Sequence, residues 1–197
     1  MISERPDKAH AAMDEKIIAI HEAGHAVIAR VLGIAVTQVA MFPTDGKGGA
    51  AGAQTGSASW LANEADRSAQ IRAAENDAKV CLAGPHAQQK YRPSKVKHRM
   101  PVEWRDDFEL AKQFVVKAVL LETDPAFNLP TEGRDIILSR DASAQVVSRF
   151  DRISADVKTL VADNWPAIER TAEELLRLRT ISGEEVDAII KRKPCRP

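Results

Sequence analysis

His21-Glu22-Ala23-Gly24-His25 is the stretch of this chain whose residue types and spacing could do chemistry. On a helix, residues four apart stand on one face, so both imidazoles project the same way. Two neutral ring nitrogens placed like this can each reach one zinc ion at about 2.0–2.1 Å. Glu22 follows His21 by one position, roughly 100° further round the helix. It lies outside the shared coordination direction but within reach of a zinc-bound water, whose proton it can take. Two ligands and a base are therefore present, and zinc needs at least one ligand more. By residue type Asp107, Asp106, Asp77, Glu75 and Glu103 all qualify. The plainer alternative is a core or solvated histidine pair with an incidental glutamate.

The elements that must position these groups read as follows. Asp14 is a fitting N-cap, Lys16 to Leu32 a helix, and Gly33 suits the C′ position. Ile17, Ile20, Val27, Ile28, Val31 and Leu32 surround the motif and half-bury it. Val36 to Phe42 has the β-branched, apolar character of a strand, residues 43–49 are turn chemistry, and Gly52 to Trp60 is a weaker second strand. Ala65 to Tyr91 returns to helix, with a kink or break expected at Gly84-Pro85 because proline lacks a donor and crowds the preceding turn. Residues 92–99 form a short basic loop, read as solvated.

A third helix spans Val102 to Glu122, with Phe108, Ala111, Phe114, Val115, Ala118, Val119 and Leu121 on its apolar face. Residues 125–142 should be a connector with a short helix, and Ala144 to Asp163 a fourth long helix. Pro166 opens the next, Ala167 to Arg177. Ser182-Gly183-Glu184-Glu185 is a capping box that starts a last short helix ending near Arg192. The expected fold is mainly α, with a small β-hairpin or sheet after the first helix. Residues 1–13 are a flexible polar lead-in, 14–192 one domain (14–124 carrying the site, 125–192 the C-terminal helices), and 193–197 a basic tail.

Composition narrows the function class. With 28 basic and 28 acidic residues the net charge is zero, so no global field favours nucleic acid or an anionic membrane. Aromatic content of 5% argues against a base-stacking surface. Cys81 and Cys195 allow a single disulfide but no disulfide framework, and neither is placed as a ligand near His21. No apolar run has the length of a signal peptide core or a membrane span, so the expected compartment is the cytosol.

Several stretches together resemble the peptidase domain of the FtsH-type AAA+ zinc proteases, peptidase family M41. They are His21 to Val27, Val36 to Pro43, Cys81 to Ala87, Asp106-Asp107-Phe108-Glu109-Leu110-Ala111, and Asn164 to Val186. The likeness runs over about residues 15–192. It implies that Asp107 is the third zinc ligand, that His21 and His25 are the other two, and that Glu22 is the catalytic base. It also implies Zn2+ as cofactor, an unfolded protein or peptide as substrate, and assembly of copies into rings. The sequence contains no G-x-x-x-x-G-K-[ST] phosphate loop, so an ATPase acting in trans is the partner that folded substrates would require. The expected activity is that of a zinc-dependent metallopeptidase without its own ATPase. The competing expectation is a zinc-stabilised interaction or regulatory domain with little or no proteolysis. His86, just past Gly84-Pro85, is a further ligand candidate or else a helix-end histidine, His10 and His98 read as solvated, and Trp104 is a candidate wall for the site.

Overall fold

In a computed structural model, residues 8–41, 52–55, 66–93, 104–124, 127 and 137–192 are described. The element order is α1 (Lys8–Val31), β1 (Val36–Ala40), β2 (Gly52–Thr55), α2 (Arg67–Tyr91), α3 (Arg105–Thr123), α4 (Arg140–Asp163), α5 (Trp165–Leu178), β3 (Thr180–Ser182) and α6 (Gly183–Lys191). The fold is mainly helical with a small antiparallel sheet, as the periodicity predicts.

The motif helix α1 is the centre of the molecule. Every residue from Glu22 to Ala29 is buried, the pattern of a helix enclosed on all sides. α2 packs on one flank and α5 on another. Small residues permit the close approach of α2: a Cβ on Gly24 would stand 2.8 Å from Ala87 Cβ and 2.9 Å from the Ala83 carbonyl oxygen. Gly33, at φ +77°, ends the helix. Its N–H donates to Arg30 O and that of Ile34 to Ala29 O, at 3.1 and 2.8 Å, a Schellman termination that needs the left-handed conformation glycine supplies.

α3 sets Ala111, Val115, Ala118 and Val119 against α2, and α4 contributes Val146, Ile153, Val157 and Val161 to the same core. Ser139 caps α4 by accepting from Ala142 N–H at 3.1 Å. Pro166 lies in the first turn of α5, where its missing N–H costs nothing. The Ser182 hydroxyl and the Glu185 carboxylate exchange hydrogen bonds with each other's backbone N–H, the full capping box.

Four expectations are corrected. α1 begins at Lys8, so Asp14 is an interior residue and not a cap, and residues 8–13 of the supposed lead-in are helical. Of the kink or break expected at Gly84-Pro85, the break is overturned: α2 runs continuously through it. One absent helical hydrogen bond is outweighed there because Val80 to Ala87 is buried between α1, α3 and α4. α4 starts at Arg140 rather than Ala144, since Ser139 provides a cap that the periodicity did not register. Last, β3 was not foreseen. β1 takes the middle of the sheet, order β2-β1-β3, antiparallel to both neighbours. Three residues following a helix are too few to show an alternating pattern. The turn at 43–49, the strand extension past Thr55, the basic loop from residue 94, the connector helix before Ile137 and the tail lie outside the described residues.

Candidate metal centre

His21 and His25 stand one turn apart on the buried part of α1, and Asp107 sits in the first turn of α3. The α2 helix brings them together by packing on both. The meeting is close. His21 Nε2 is 3.0 Å from Asp107 Oδ2, His25 Nε2 is 3.5 Å from Asp107 Oδ1, and the two Nε2 atoms are 3.0 Å apart. Of the acids that sequence left open, Asp107 is the one so placed. Glu75 pairs with Arg149 and Arg152 on α4, Asp77 is buried on α2 outside the cluster, Asp106 is exposed, and Glu103 lies outside the described residues.

The far side of each ring fixes what its near side can do. His25 Nδ1 lies 2.7 Å from the Val80 carbonyl oxygen. A carbonyl only accepts, so Nδ1 carries the proton and Nε2 presents a lone pair. His21 Nδ1 lies 3.1 Å from Gln88 Oε1. The Trp104 indole N–H, a donor only, binds that same oxygen at 2.8 Å, which identifies it as the amide oxygen. His21 therefore also donates through Nδ1 and turns a bare Nε2 inward. Two lone pairs and a carboxylate face one point. Three acceptors this close repel unless a cation stands among them.

A proton can serve in part, and the electrostatics record it. Burial, the largest influence on His25, pulls its pKa down, but the hydrogen bond and charge of Asp107, the charge of Glu22 and the Val80 carbonyl lift it to about 9. Burial pushes the Asp107 carboxyl up, yet hydrogen bonds from His21 and His25 in their doubly protonated forms, and the charge of those forms, hold it well below the usual carboxylate range. The same three side chains could also hold a metal ion. Tetrahedral ligands at about 2.0–2.1 Å from zinc stand roughly 3.3–3.5 Å from one another; here the two Nε2 atoms are 3.0 Å apart and approach different Asp107 oxygens, at 3.0 and 3.5 Å. Two imidazoles and one carboxylate leave a fourth position open. The partners at Nδ1 are those that orient metal-bound histidines generally.

Gly84 completes the centre. A Cβ there would fall against His25 Nε2 and within 2.8 Å of His21 Nε2 and Cδ2. Sequence reasoning took this glycine for a helix breaker, whereas it is the gap into which the imidazoles fit. Gln88 and the Val80 carbonyl were also missed, since neither a lone amide nor a backbone oxygen leaves a mark in sequence. Trp104 donates to Gln88 and stacks on Phe108, the neighbour of Asp107.

Glu22 is 8% exposed, and its charge acts on His25. Among the described residues no ion pair occupies its carboxylate. His86 is not in the cluster: it faces α4, where Nε2 meets Ser154 Oγ at 2.9 Å. Cys81 is a buried free thiol, its pKa raised to about 12 chiefly by burial. The side chains of His10 and His98 lie outside the described residues. No described helix is long and apolar enough to cross a membrane. Compared with known protein families the sequence matches none, and a search of curated proteins returns no match.

Proposed function

We propose that this chain is a zinc-dependent metallopeptidase of the M41 kind that acts on unfolded proteins or peptides. The observation that carries the reading is the convergence of His21 Nε2, His25 Nε2 and an Asp107 oxygen, all within 4.8 Å of one another, with the histidine protons committed elsewhere. A zinc ion held there would polarise a substrate carbonyl and make water a nucleophile near neutral pH.

The residues of the chain supply the rest. Val80 O and Gln88 Oε1 hold the ring protons at Nδ1, so that the two histidines bind through Nε2. Asp107 contributes negative charge and fixes α3 to α1. Glu22 is the proton carrier: its carboxylate accepts a proton from the attacking water and returns it to the leaving amine nitrogen. Its burial strengthens that role, because charge is less screened where water is scarce.

A second reading, a zinc-stabilised interaction domain, is favoured by burial of the donors themselves. The side chains of His21, His25 and Asp107 are only 12%, 11% and 23% exposed. An ion so enclosed binds its helices together whether or not a substrate reaches it.

One set of variants separates the readings. The wild-type chain should bind one equivalent of zinc and cleave unfolded casein in a chelator-sensitive way. Glu22→Gln should keep the zinc and lose cleavage, and Asp107→Ala should lose both. Cleavage undiminished in Glu22→Gln excludes the peptidase mechanism, and zinc without turnover in wild type selects the interaction domain. Absence of zinc binding in wild type removes both.

A further inference from the structure

α2 has a second working face. While Gly84 and Gln88 turn toward the histidine pair, His86, Gln89 and Lys90 line a cavity of about 250 Å³ whose other wall is Lys158, Val161 and Ala162 of α4. Two of its six lining side chains, Lys90 and Lys158, are cationic and none is acidic. Among the described residues neither Lys90 nor Lys158 has a carboxylate within ion-pair distance. Lys90 Nζ rests instead over the Trp165 ring, 5.2 Å from its centre. His86 is 8% exposed, and its Nε2 is tied to Ser154 Oγ at 2.9 Å. The hollow thus gathers two ammonium groups, a primary amide and an imidazole, and holds no group of opposite charge.

An anion in the hollow would meet two cationic groups and no acidic one, and its oxygens could accept charge-assisted hydrogen bonds from both. The volume limits the anion. At about 250 Å³ the space is smaller than the roughly 300–1,000 Å³ of clefts that take drug-sized ligands. The charge specifies it further: a phosphate group carries about −1.5 to −2 near pH 7 and three acceptor oxygens, which two lysines and an amide can match.

We propose that the cavity between α2 and α4 is a binding site for a phosphate-class oxyanion, held by Lys90, Lys158 and the Gln89 amide. His86 floors the site and answers to it. Burial first and then the charge of Lys158 hold it at about 4, and a bound dianion would offset the lysine and move it up. The site stands apart from the metal-centre proposal, because it uses none of those residues.

The test is titration of the full chain with inorganic phosphate and with O-phosphoserine, by calorimetry and by the His86 ring resonances, at constant ionic strength set with chloride. Metal-free and zinc-loaded protein are run in parallel. Saturable binding of either ligand is expected in both forms, with an upward move of the His86 titration. Lys158→Ala and Lys90→Ala should each weaken binding about tenfold or more, the loss of one charge-assisted hydrogen bond. Because Lys158 is exposed, its removal should leave the melting temperature unchanged. Absence of saturable binding by either ligand overturns the proposal. So does binding that persists undiminished in Lys158→Ala, or that occurs only with zinc present, since the anion would then sit on the metal. Binding by one ligand alone supports the site and identifies whether it takes the free ion or the ester.

Discussion

Gly84 on α2 faces His25 on α1 so closely that no side chain fits between them. The glycine sits inside a continuous helix, where it costs about 0.5–1 kcal/mol relative to alanine, yet alanine would drive a methyl group into both imidazoles. Gly84→Ala should therefore gain nothing from its better helix propensity. The overpacking penalty of about 1–3 kcal/mol should appear in denaturant unfolding, and zinc stoichiometry should collapse. Gly24→Ala crowds Ala83 and Ala87 instead. It should cost similar stability while zinc still binds, and dialysis followed by metal analysis distinguishes the two.

Gln88 joins two of the helices that meet at the centre, accepting from His21 of α1 and from Trp104 at the threshold of α3. Gln88→Leu keeps the size and removes the acceptor. Partners of this kind are typically worth 10–100-fold in metal affinity, and a loss of about that size is expected in competition with a zinc dye. Gln88→Glu, which retains an acceptor, should recover most of it.

The metal-free chain should be most stable near pH 6.5. The folded pKa of His25 lies near 9, above the 6.5 of a free histidine. Its contribution is thus complete below pH 6.5 and vanishes as the pH rises through about 9, a loss of roughly 3 kcal/mol at most. His86 acts in the opposite sense: depressed to about 4, its neutral form favours the fold above pH 6.5, and that advantage disappears as the pH falls toward 4. Asp107, held below the carboxylate range, adds its own loss further into acid. Urea midpoints across this range check the prediction. Asp107→Ala should flatten the alkaline limb and remove the loss deep in acid, His86→Leu should reduce the limb between pH 6.5 and 4, and zinc affinity should climb between pH 6.5 and 9 as the His25 proton leaves.

Ser182 ends β3 and caps α6 at once. Ser182→Ala removes the side-chain bond to Glu185 N–H and should cost about 1 kcal/mol. Gly183→Ala should be far worse, because its methyl group would collide with the carbonyl of Val36 in the central strand. Thermal unfolding of the two variants gives the order directly.

The parts of this molecule legible in sequence are those with local causes. The histidine spacing, the Gly33 termination, the Ser182 capping box and the apolar faces of α3 and α4 each follow from a few neighbouring residues. The remainder depends on contacts across the chain. Gly84 and Pro85 spell a break locally, and only the packing around α2 keeps the helix whole. The third acid is one of several candidates by type, and its choice is made by where α3 lies. β3 exists because β1 offers it a free side, which no property of Thr180 to Ser182 announces.

Asp107 follows His25 by about 80 residues, and α2 separates them in sequence while joining them in space. An ion bridging the two would behave as a removable cross-link that shortens the chain's reach when unfolded. For a covalent bond closing a loop of that length the entropic gain is roughly 4–5 kcal/mol, and part of it would come to any ligand that grips both ends. Chelators would then act on folding as well as on chemistry, by releasing the clasp that ties α1 to α3.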